Sequence, residues 1–419
     1  MIQHILKLIW NQRRQNGWLW AELLLVSVIL WFLVDYLYVM GRTYTKPMGF
    51  DIEHTYFLAF DNLAEGATGY VPKEERERTD GALMLELLDR LRSNPDVEAV
   101  CYADMGVPYR LGNRQMNWSI DTVVVNLRYR QVSPDYFRVF GSRDEPERNE
   151  ALAAALREAD AVVLSEDFAR REYPDFRPAV GQEVTSYSER KYKVTGLCSV
   201  SRPSRYEREV PFVYIPLPAS YLEEGGFDGN MQSLEVAMRV RPEADTPEFI
   251  DRLRAELKTQ ARAGNFYLLD IVPFSTLRAE YIRGYGLENE ARTYVAIAVF
   301  LLVNIFLGVI GTFWFRSEYR KGEMGLRMAL GSSRGQLRGI LAGEGLMLLA
   351  LAFVPAFVIS FNIAQLELLD TELLPFTAGR FLACQAITFC VIAGMIVCGV
   401  WYPARQAARM EPAEALRYE

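Results

Sequence analysis

The chain is poor in the residues that build metal sites and catalytic triads. Only two of its 419 residues are histidine, His4 and His54. On the membrane topology that the charge distribution predicts, they lie on opposite sides of a bilayer and cannot share a metal ion or a triad. The sequence also lacks a Gly-x-x-x-x-Gly-Lys-[Ser/Thr] phosphate loop, which argues against ATP binding by that motif. We therefore expect a non-catalytic chain without a metal site, rather than a membrane-anchored enzyme.

The five cysteines fall into two groups. Cys384, Cys390 and Cys398 lie in one apolar run, where we expect them to be small lipid-facing or helix-facing residues. Cys101 and Cys198 lie in separate predicted strands. They could form a disulfide in an oxidising compartment, and two buried thiols are the alternative. Both possibilities fit the sequence.

Charge is nearly missing from four long apolar runs. Residues 293–315 and 381–402 contain no charged residue, and 340–362 contain only Glu344. The run at 18–40 carries Glu22 and Asp35 and has tryptophans and tyrosines near its ends, as expected at membrane interfaces. Each run exceeds the roughly 20 residues that a helix needs to cross a bilayer. A cleaved signal peptide is an alternative for the first run, but no small-residue cleavage site follows it.

Lysine and arginine are distributed unevenly between the flanks of these runs. Residues 1–17 carry three, 316–338 carry six and 403–419 carry three, whereas 363–379 carry none. Because basic flanks stay in the cytoplasm, both termini and the 316–339 loop are predicted to be cytoplasmic. The chain is then a multi-pass membrane protein, and most of its mass lies outside the cytoplasm.

The sequence thus predicts an integral membrane protein with four transmembrane α-helices and a large α+β extracytoplasmic domain inserted between helices 1 and 2. The predicted segments are a cytoplasmic amphipathic helix in contact with membrane lipid at 1–17, transmembrane helix 1 at 18–40, a periplasmic domain at 41–292, transmembrane helix 2 at 293–315, a cytoplasmic loop at 316–339, transmembrane helix 3 at 340–362, a short outer loop at 363–380, transmembrane helix 4 at 381–402 and a cytoplasmic tail at 403–419.

The outer block has the pattern of a mixed α and β domain. Helical spacing of leucines over 80–93 precedes the strand-like segment "VEAV", and a second helix at 247–263 precedes "NFYLLDIV". Four further β-rich segments and "SLEVAMRV" lie between the two helices. The two helix-then-strand units suggest a repeated module, although their sequences are only weakly alike.

Three sets of residues stand out in the membrane region. Ionisable residues within spans are costly unless they have partners, so Glu22, Asp35 and Glu344 are candidates for contacts between helices; Glu22 and Glu344 could instead extend to the cytoplasmic interface. Three glycines, Gly335, Gly339 and Gly343, recur at every fourth residue. This spacing permits close helix packing, within one protomer or between two. In the cytoplasmic loop, Glu323 and Arg327 are spaced to support a helix.

Two separated motifs resemble one family. The segment "GEMGLRMALGSSRGQLRGILAGEGLMLLAL" resembles the signature of the FtsX-like permease domain, and the ending "YPARQAARMEPAEALRYE" is similar to the tail of MacB-type ABC transporter permeases. In the outer block, "GFDIEHTY", "VSPDYFRVFG", "VVLSEDFARREYP" with "VGQEV", and "YKVTGL" resemble segments of the MacB periplasmic core domain in the same order. A charged helical insert after "DYFRVFG" departs from the family pattern.

The resemblance implies roles for two motifs. The loop after transmembrane helix 2 would couple the chain to an ATPase through Glu323, Gly325, Arg327, Ala329, Leu330 and Gly331. The matching C-terminal positions are Pro403, Arg405, Pro412, Glu414, Leu416 and Arg417. The partners implied are a separate ABC ATPase that binds ATP and Mg, a second copy of the permease, and an adaptor with an outer-membrane channel. The resemblance gives no reason to expect a nucleic-acid partner.

Three functions are compatible with this resemblance. The first is export or efflux of a peptide, lipid-linked or amphipathic substrate by mechanotransmission, in which ATP-driven movement of the spans changes the outer domain. The second is FtsX-like signalling to a cell-wall hydrolase. The third is release of lipoproteins from the membrane. The large outer domain favours the first.

Overall fold

The computed structural model describes residues 13–110, 114–120, 123–166, 180–227, 229–231, 233–260, 262–319, 322, 326, 331–366 and 368–407. The chain divides into two compact units, of which the membrane unit comprises Met1–Thr45 with Asn289–Glu419 and the outer domain comprises Lys46–Glu288.

The helices and strands are numbered here along the chain. The helices are α1 (Arg13–Thr45), α2 (Asp80–Arg92), α3 (Tyr136–Phe140), α4 (Pro146–Ala155), α5 (Phe249–Gln260), α6 (Phe274–Gly284), α7 (Leu287–Tyr319), α8 (Arg334–Gln365) and α9 (Ala378–Ala407). The strands are β1 (Thr55–Asn62), β2 (Val97–Asp104), β3 (Arg114–Ile120), β4 (Val123–Val132), β5 (Ala161–Ser165), β6 (Glu183–Ser186), β7 (Lys191–Cys198), β8 (Phe212–Pro216), β9 (Leu234–Val240), β10 (Arg262–Ala263) and β11 (Phe266–Pro273).

Four helices, α1, α7, α8 and α9, are long and apolar enough to cross a membrane. The large mixed domain lies between the first and second of them, which confirms the predicted fold class. Each helix continues beyond the apolar run that identified it, because backbone hydrogen bonding extends into the polar flanks. The exact limits of the membrane spans remain a prediction.

Leucines form the core of the membrane unit. Leu23 and Leu30 of α1 pack with Leu348 and Leu349 of α8 and Ile396 of α9 in one buried cluster. In its most apolar window α7 is only 11% buried, compared with 44% for α1. Most of α7 therefore presents apolar side chains to lipid or to another protein.

Two βαβ units form one half of the outer domain. The units β1–α2–β2 and β9–α5–β11 interleave in the strand order β11-β1-β9-β2, with every neighbouring pair antiparallel. This order is typical of split βαβ folds. The two helix-then-strand units of the sequence are therefore one intertwined sheet rather than two separate lobes.

Both faces of this sheet are covered. On one face, Leu87 of α2 and Phe249 of α5 pack over Leu58 of β1. On the other, Phe57 packs with Phe274 of α6 and with residues of α3 and α4. Adjacent residues of β1 thus enter different cores, as strand alternation requires.

The six strands between β2 and β9 in sequence form a closed ring. Their order is β4-β3-β6-β7-β5-β8, and a parallel pairing of β8 with β4 completes a six-stranded ring. Trp118, Leu127, Val162 and Val194 belong to one buried cluster of this ring. The ring is an insertion between the two βαβ units.

Candidate functional site: polar contacts between the membrane helices

Asp35 of α1 and Arg380 of α9 form a buried ion pair. Arg380 Nε lies 2.9 Å from Asp35 Oδ1, and Nη2 lies 2.5 Å from Oδ2. Both side chains are only 2% exposed. Paired donors facing both carboxylate oxygens make the strongest form of arginine contact. The structure therefore gives the predicted intramembrane Asp35 a specific partner.

Arg380 also anchors the outer loop that precedes α9. Its Nη1 donates to the backbone oxygens of Asp370, at 3.0 Å, and Leu374, at 2.5 Å. The Thr377 hydroxyl accepts a hydrogen bond from the Arg380 backbone N–H and caps α9. One guanidinium thus joins α1, α9 and the loop between α8 and α9.

An aromatic cluster lies on the same helices as this ion pair and includes Cys384, whose thiol is 3.6 Å from Asp35 Oδ1. The rings of Trp31 and Phe381 meet edge to face with centroids 5.6 Å apart, and the ring of Phe357 lies 4.9 Å from that of Phe381. Trp31 is fully buried. Because aromatic packing excludes water, removing either charged partner would leave the other in an apolar setting, at a cost of about 3–5 kcal/mol.

Sequence reasoning missed Arg380. It stands immediately after the loop that was counted as free of basic residues and directly before the fourth apolar run. The available signal was a lone arginine at the same predicted membrane depth as Asp35, since both lie near the outer ends of their helices. Opposite charges at matching depth are candidates for a pair.

Glu22 of α1 binds α7. The Thr312 hydroxyl lies 3.0 Å from Glu22 Oε1 and 3.2 Å from Oε2, and it also lies 3.0 Å from the backbone oxygen of Gly308 in its own helix. Glu22 and Asp35 are thirteen positions apart, or about 20 Å along one helix. They therefore join α1 to different helices at different depths.

Glu344 lies on α8 and is 2% exposed. It takes part in a hydrogen-bonding or electrostatic contact of its own. Glu22 and Asp35 both lie on α1 instead. The three predicted intramembrane acids thus occupy separate positions.

The glycine stripe on α8 is open in this chain. No described heavy atom lies within 4 Å of the position that a Cβ would take at Gly335 or Gly339. Both residues are exposed, whereas Gly343, one turn further, is partly buried. Close packing at the first two glycines therefore has no partner helix among the described residues.

The loop between α7 and α8 is described only in part. Glu323, Gly325, Arg327, Ala329 and Leu330 lie outside the described residues, as do Pro412, Glu414, Leu416 and Arg417 of the C-terminal motif. Pro403 and Arg405 lie in the last turns of α9. The roles assigned to these residues stay predictions.

The junction between this loop and α8 is well defined. Gly331 has a φ of 96°, a left-handed conformation that favours glycine. The Ser333 hydroxyl accepts from the Gln336 N–H at 3.3 Å, and the Gln336 side chain accepts from the Ser333 N–H at 2.9 Å. This reciprocal capping box fixes the start of α8 at Arg334.

In the outer domain, Cys101 and Cys198 are buried thiols in the same cluster, so the disulfide alternative is not realised in this structure. Burial raises the pKa of the Cys101 thiol well above its usual value. The part of the chain that the structure describes holds no group of three or more histidine, cysteine, aspartate or glutamate residues arranged for a metal ion.

Comparison with known proteins gives two family matches. Residues 51–256 match the MacB-like periplasmic core domain, and residues 295–412 match the FtsX-like permease C-terminal domain. The two matches follow the same order as the outer domain and the last three membrane helices. No curated protein sequence matches the chain.

Three solved structures are similar to the outer part of the chain. The periplasmic region of MacB from Actinobacillus actinomycetemcomitans is 13% identical, covers 57% of this chain and 96% of its own, and has a TM-score of 0.33. A domain of a putative permease from Porphyromonas gingivalis is 16% identical, with 54% and 92% covered and a TM-score of 0.33. The extracellular domain of the noncanonic ABC-type transporter YknZ from Gram-positive bacteria is 12% identical, with 52% and 100% covered and a TM-score of 0.30.

The two domain matches, found in one chain with four membrane helices, define its family. Members of this family are multi-pass bacterial membrane proteins that work with ABC ATPase partners. The chain belongs to the MacB/FtsX-type permeases of ABC transporters.

Proposed function

We propose that this chain is the permease subunit of a MacB-type complex that acts by mechanotransmission. A separate ATPase subunit binds ATP and Mg and docks on the cytoplasmic loop. Its closure moves the membrane helices, and the outer domain changes shape on the far side. The work done there is export or efflux of a peptide, lipid-linked or amphipathic substrate.

The buried Asp35–Arg380 pair is the observation that carries this proposal. It ties α1 to α9 and to the loop that follows α8. The Glu22–Thr312 contact ties α1 to α7 at another depth. Displacing α1, α7 or α9 along its axis would break one of these polar contacts, so these three helices move together as a body. Transmission of a movement across the membrane requires helices that are physically connected in this way.

The start of α8 supports a route for the motion. The capping box at Ser333 and the turn at Gly331 join the cytoplasmic loop directly to α8. Farther along, Leu348 and Leu349 of α8 pack on the leucines of α1. The chain of α1 then leads into the outer domain. Movement of the docking segment would therefore pass through α8 to α1.

Packing between the membrane helices argues against a wide channel within one chain, because leucines of α1 and α8 fill one buried cluster and the buried charges of Asp35 and Arg380 pair with each other. The buried cluster consists of leucine, valine, alanine, isoleucine and methionine side chains. A polar substrate would need a lining of polar groups or water at membrane depth. This supports transmission of movement rather than passage of the substrate between these helices.

The assembly we propose has both termini in the cytoplasm and contains two copies of the permease. The exposed apolar side of α7 and the open glycines of α8 are the surfaces on which a second copy would pack. Export across an outer membrane would further require an adaptor and a channel. An FtsX-like signalling role or release of lipoproteins would use the same motor with different outer partners.

Docking can be tested by co-purification. The full chain is co-expressed with candidate ATPase subunits and purified in nanodiscs, as wild type and as Glu323→Ala/Arg327→Ala. Glu318→Ala/Arg320→Ala is the matched control, because it removes one acid and one base from the adjoining segment at the end of α7. We expect the ATPase to accompany wild type and control but not the double variant.

Two results would contradict the proposal. An ATPase that remains bound to Glu323→Ala/Arg327→Ala would move docking to another segment. Absence of any ATPase with wild type would favour a sensor or scaffold on the same fold. Once docking is established, ATP-dependent transport into or out of vesicles separates export from signalling.

A further inference from the structure

A cavity of about 700 Å³ lies within the outer domain. It lies between the connection that follows β2 and the helix α6. Its volume is in the range of about 300–1,000 Å³ that is usual for small-molecule sites. Tyr109, Arg110, Glu235, Tyr281 and Tyr285 are among the residues that line it. Neither the family matches nor the proposed coupling mechanism assigns this cavity a role.

Three tyrosines form one wall. The rings of Tyr109 and Tyr281 have centroids 5.7 Å apart, and those of Tyr281 and Tyr285 are 4.6 Å apart. The Tyr281 hydroxyl donates to Glu207, 3.3 Å from Oε2, which fixes the ring. Burial raises the pKa of Tyr109 to about 12, so this ring stays neutral near pH 7. The wall presents electron-rich aromatic surface.

A buried carboxylate faces this wall. Glu235 of β9 is 4% exposed, and its Oε2 accepts from the backbone N–H groups of Gly106 at 2.8 Å and Val107 at 2.9 Å. Its Oε1 lies 3.5 Å from Arg110 Nε, longer than an ordinary hydrogen bond. A second lining carboxylate, Glu280, comes from α6.

Arg110 is already engaged. Its guanidinium lies over the ring of Phe57, 4.8 Å from the centroid, as well as beside Glu235. The lining therefore carries two carboxylates and one guanidinium that is held over Phe57. Three arginines act on Glu235 or Tyr109 from outside the lining, namely Arg130, Arg205 and Arg278. Within the lining itself, acid exceeds base by one, which favours a positively charged ligand over an anion.

The connection that carries Tyr109 is strained. Met105 and Tyr109 both line the cavity and have φ values of 50° and 64°. Non-glycine residues rarely adopt this left-handed conformation, and such residues concentrate at binding sites. The ring of the strained Tyr109 is the one that packs on Tyr281.

We propose that this cavity binds a small organic cation, a tertiary or quaternary ammonium compound. Its charge faces Glu235 and Glu280, and its apolar groups lie on the tyrosine rings. Aromatic rings attract such cations through their electron-rich faces, and more strongly where water is excluded. Binding at this site requires no ATP, so it can be tested independently of the coupling mechanism.

Calorimetric titration of the full chain in nanodiscs provides the test. The probes are benzyltriethylammonium as the cation, benzenesulfonate as the anion and benzyl alcohol as the neutral compound, each corrected with empty nanodiscs. We expect saturable binding of the cation and a preference for it over the other two.

Three variants locate the site. Glu235→Gln removes the charge but keeps an oxygen for the two N–H groups, and Tyr285→Leu removes a ring that is 52% exposed. Gly284 lines the cavity, and a Cβ at this position meets no described heavy atom within 4 Å, so Gly284→Leu adds apolar bulk at the cavity wall. Each should weaken cation binding by about tenfold or more, equivalent to about 1.4 kcal/mol. Glu243→Gln and Tyr187→Leu, at exposed positions of the same domain, are the matched controls.

The proposal is overturned if wild type shows no saturable binding of the cation, or if benzenesulfonate binds more tightly. It is also overturned if Gly284→Leu and Glu235→Gln, with thermal unfolding like that of wild type, bind the cation unchanged. Equal weakening by the two controls would show that the effect is not specific to the cavity and would likewise contradict it.

Discussion

Arg380 Nε and Nη2 face the two carboxylate oxygens of Asp35, at 2.9 and 2.5 Å, across 345 positions of sequence. The same guanidinium reaches two backbone oxygens of the outer loop. One side chain thus connects the first membrane helix to the last. Because the pair is buried, its integrity bears on both the stability and the movement of the membrane unit.

Removal of either charge is expected to destabilise the membrane unit. Asp35→Asn and Arg380→Gln should each lower its unfolding free energy by about 3–5 kcal/mol, because the remaining charge is left buried without its partner. Thermal unfolding in nanodiscs measures this, with Glu372→Gln in the exposed outer loop as control. The exchanged pair Asp35→Arg/Arg380→Asp should recover part of the loss. Wild-type stability in both single variants would show that the pair contributes nothing.

The Glu22–Thr312 contact should show coupling between α1 and α7. Glu22→Gln, Thr312→Val and their combination form a double-mutant cycle, with an expected interaction energy of about 0.6–2 kcal/mol. The control is Thr293→Val, since its hydroxyl donates to Asn289 within α7. Unfolding free energies in mixed micelles give the cycle. Strictly additive effects of Glu22→Gln and Thr312→Val would mean that the two helices are not coupled here.

Loss of the Ser333 cap should affect the start of α8 more than loss of the neighbouring Ser332 hydroxyl. Ser333→Ala removes the capping box and should destabilise the start of α8 by about 1 kcal/mol. Gly331→Ala should act in the same direction, because alanine is strained at a φ of 96°. Ser332→Ala is the matched control. The readout is the ATP hydrolysis rate of the bound ATPase. Equal rates with Ser332→Ala and Ser333→Ala would show that the capping box does not contribute to coupling.

Glu235 should make the outer domain less stable as pH rises. Burial raises the pKa of its carboxyl above the usual 4.5, against the lowering effect of Val107 N–H and Arg110. The folded protein therefore holds this proton more tightly than the unfolded chain. The stabilising effect is complete below the unfolded pKa and is lost as pH rises through the folded pKa.

Glu235→Gln removes this titration. Thermal unfolding is measured between about pH 4 and about pH 8, and the stability of the variant relative to wild type should increase as pH rises. Glu243→Gln, at an exposed position, should follow wild type throughout. A difference between Glu235→Gln and wild type that stays constant with pH would contradict the assigned shift.

Local patterns predicted much of this fold, because helix and strand periodicity depends on near neighbours. The strands β2, β4, β5, β7, β8 and β9 and the helices α2 and α5 follow their sequence segments. The closure of the six-stranded ring could not be predicted from local patterns, because β4 and β8 are far apart in sequence and pair in parallel. Nothing in either strand specifies that partner.

Strand alternation does not predict the burial of Glu235. In "SLEVAMRV" it is typical of a strand with one face in water, which would expose Glu235 and Arg239. Every residue of β9 is buried, because both faces of the sheet are covered. Arg239 donates to the backbone oxygen of Val139 and to Asp51 instead. Which face an insertion or a helix covers is a tertiary property that strand periodicity does not contain.

The most direct test of the account measures movement of the outer domain during ATP turnover. Spin labels at Tyr187→Cys and Leu368→Cys, with the native cysteines replaced by alanine, report one distance in a complex with the ATPase, diluted with unlabelled protein. We predict that ATP with Mg shifts this distance in wild type and in Glu318→Ala/Arg320→Ala. The shift should be absent in Glu323→Ala/Arg327→Ala. ATP hydrolysis at the wild-type rate with no change in the distance would contradict mechanotransmission.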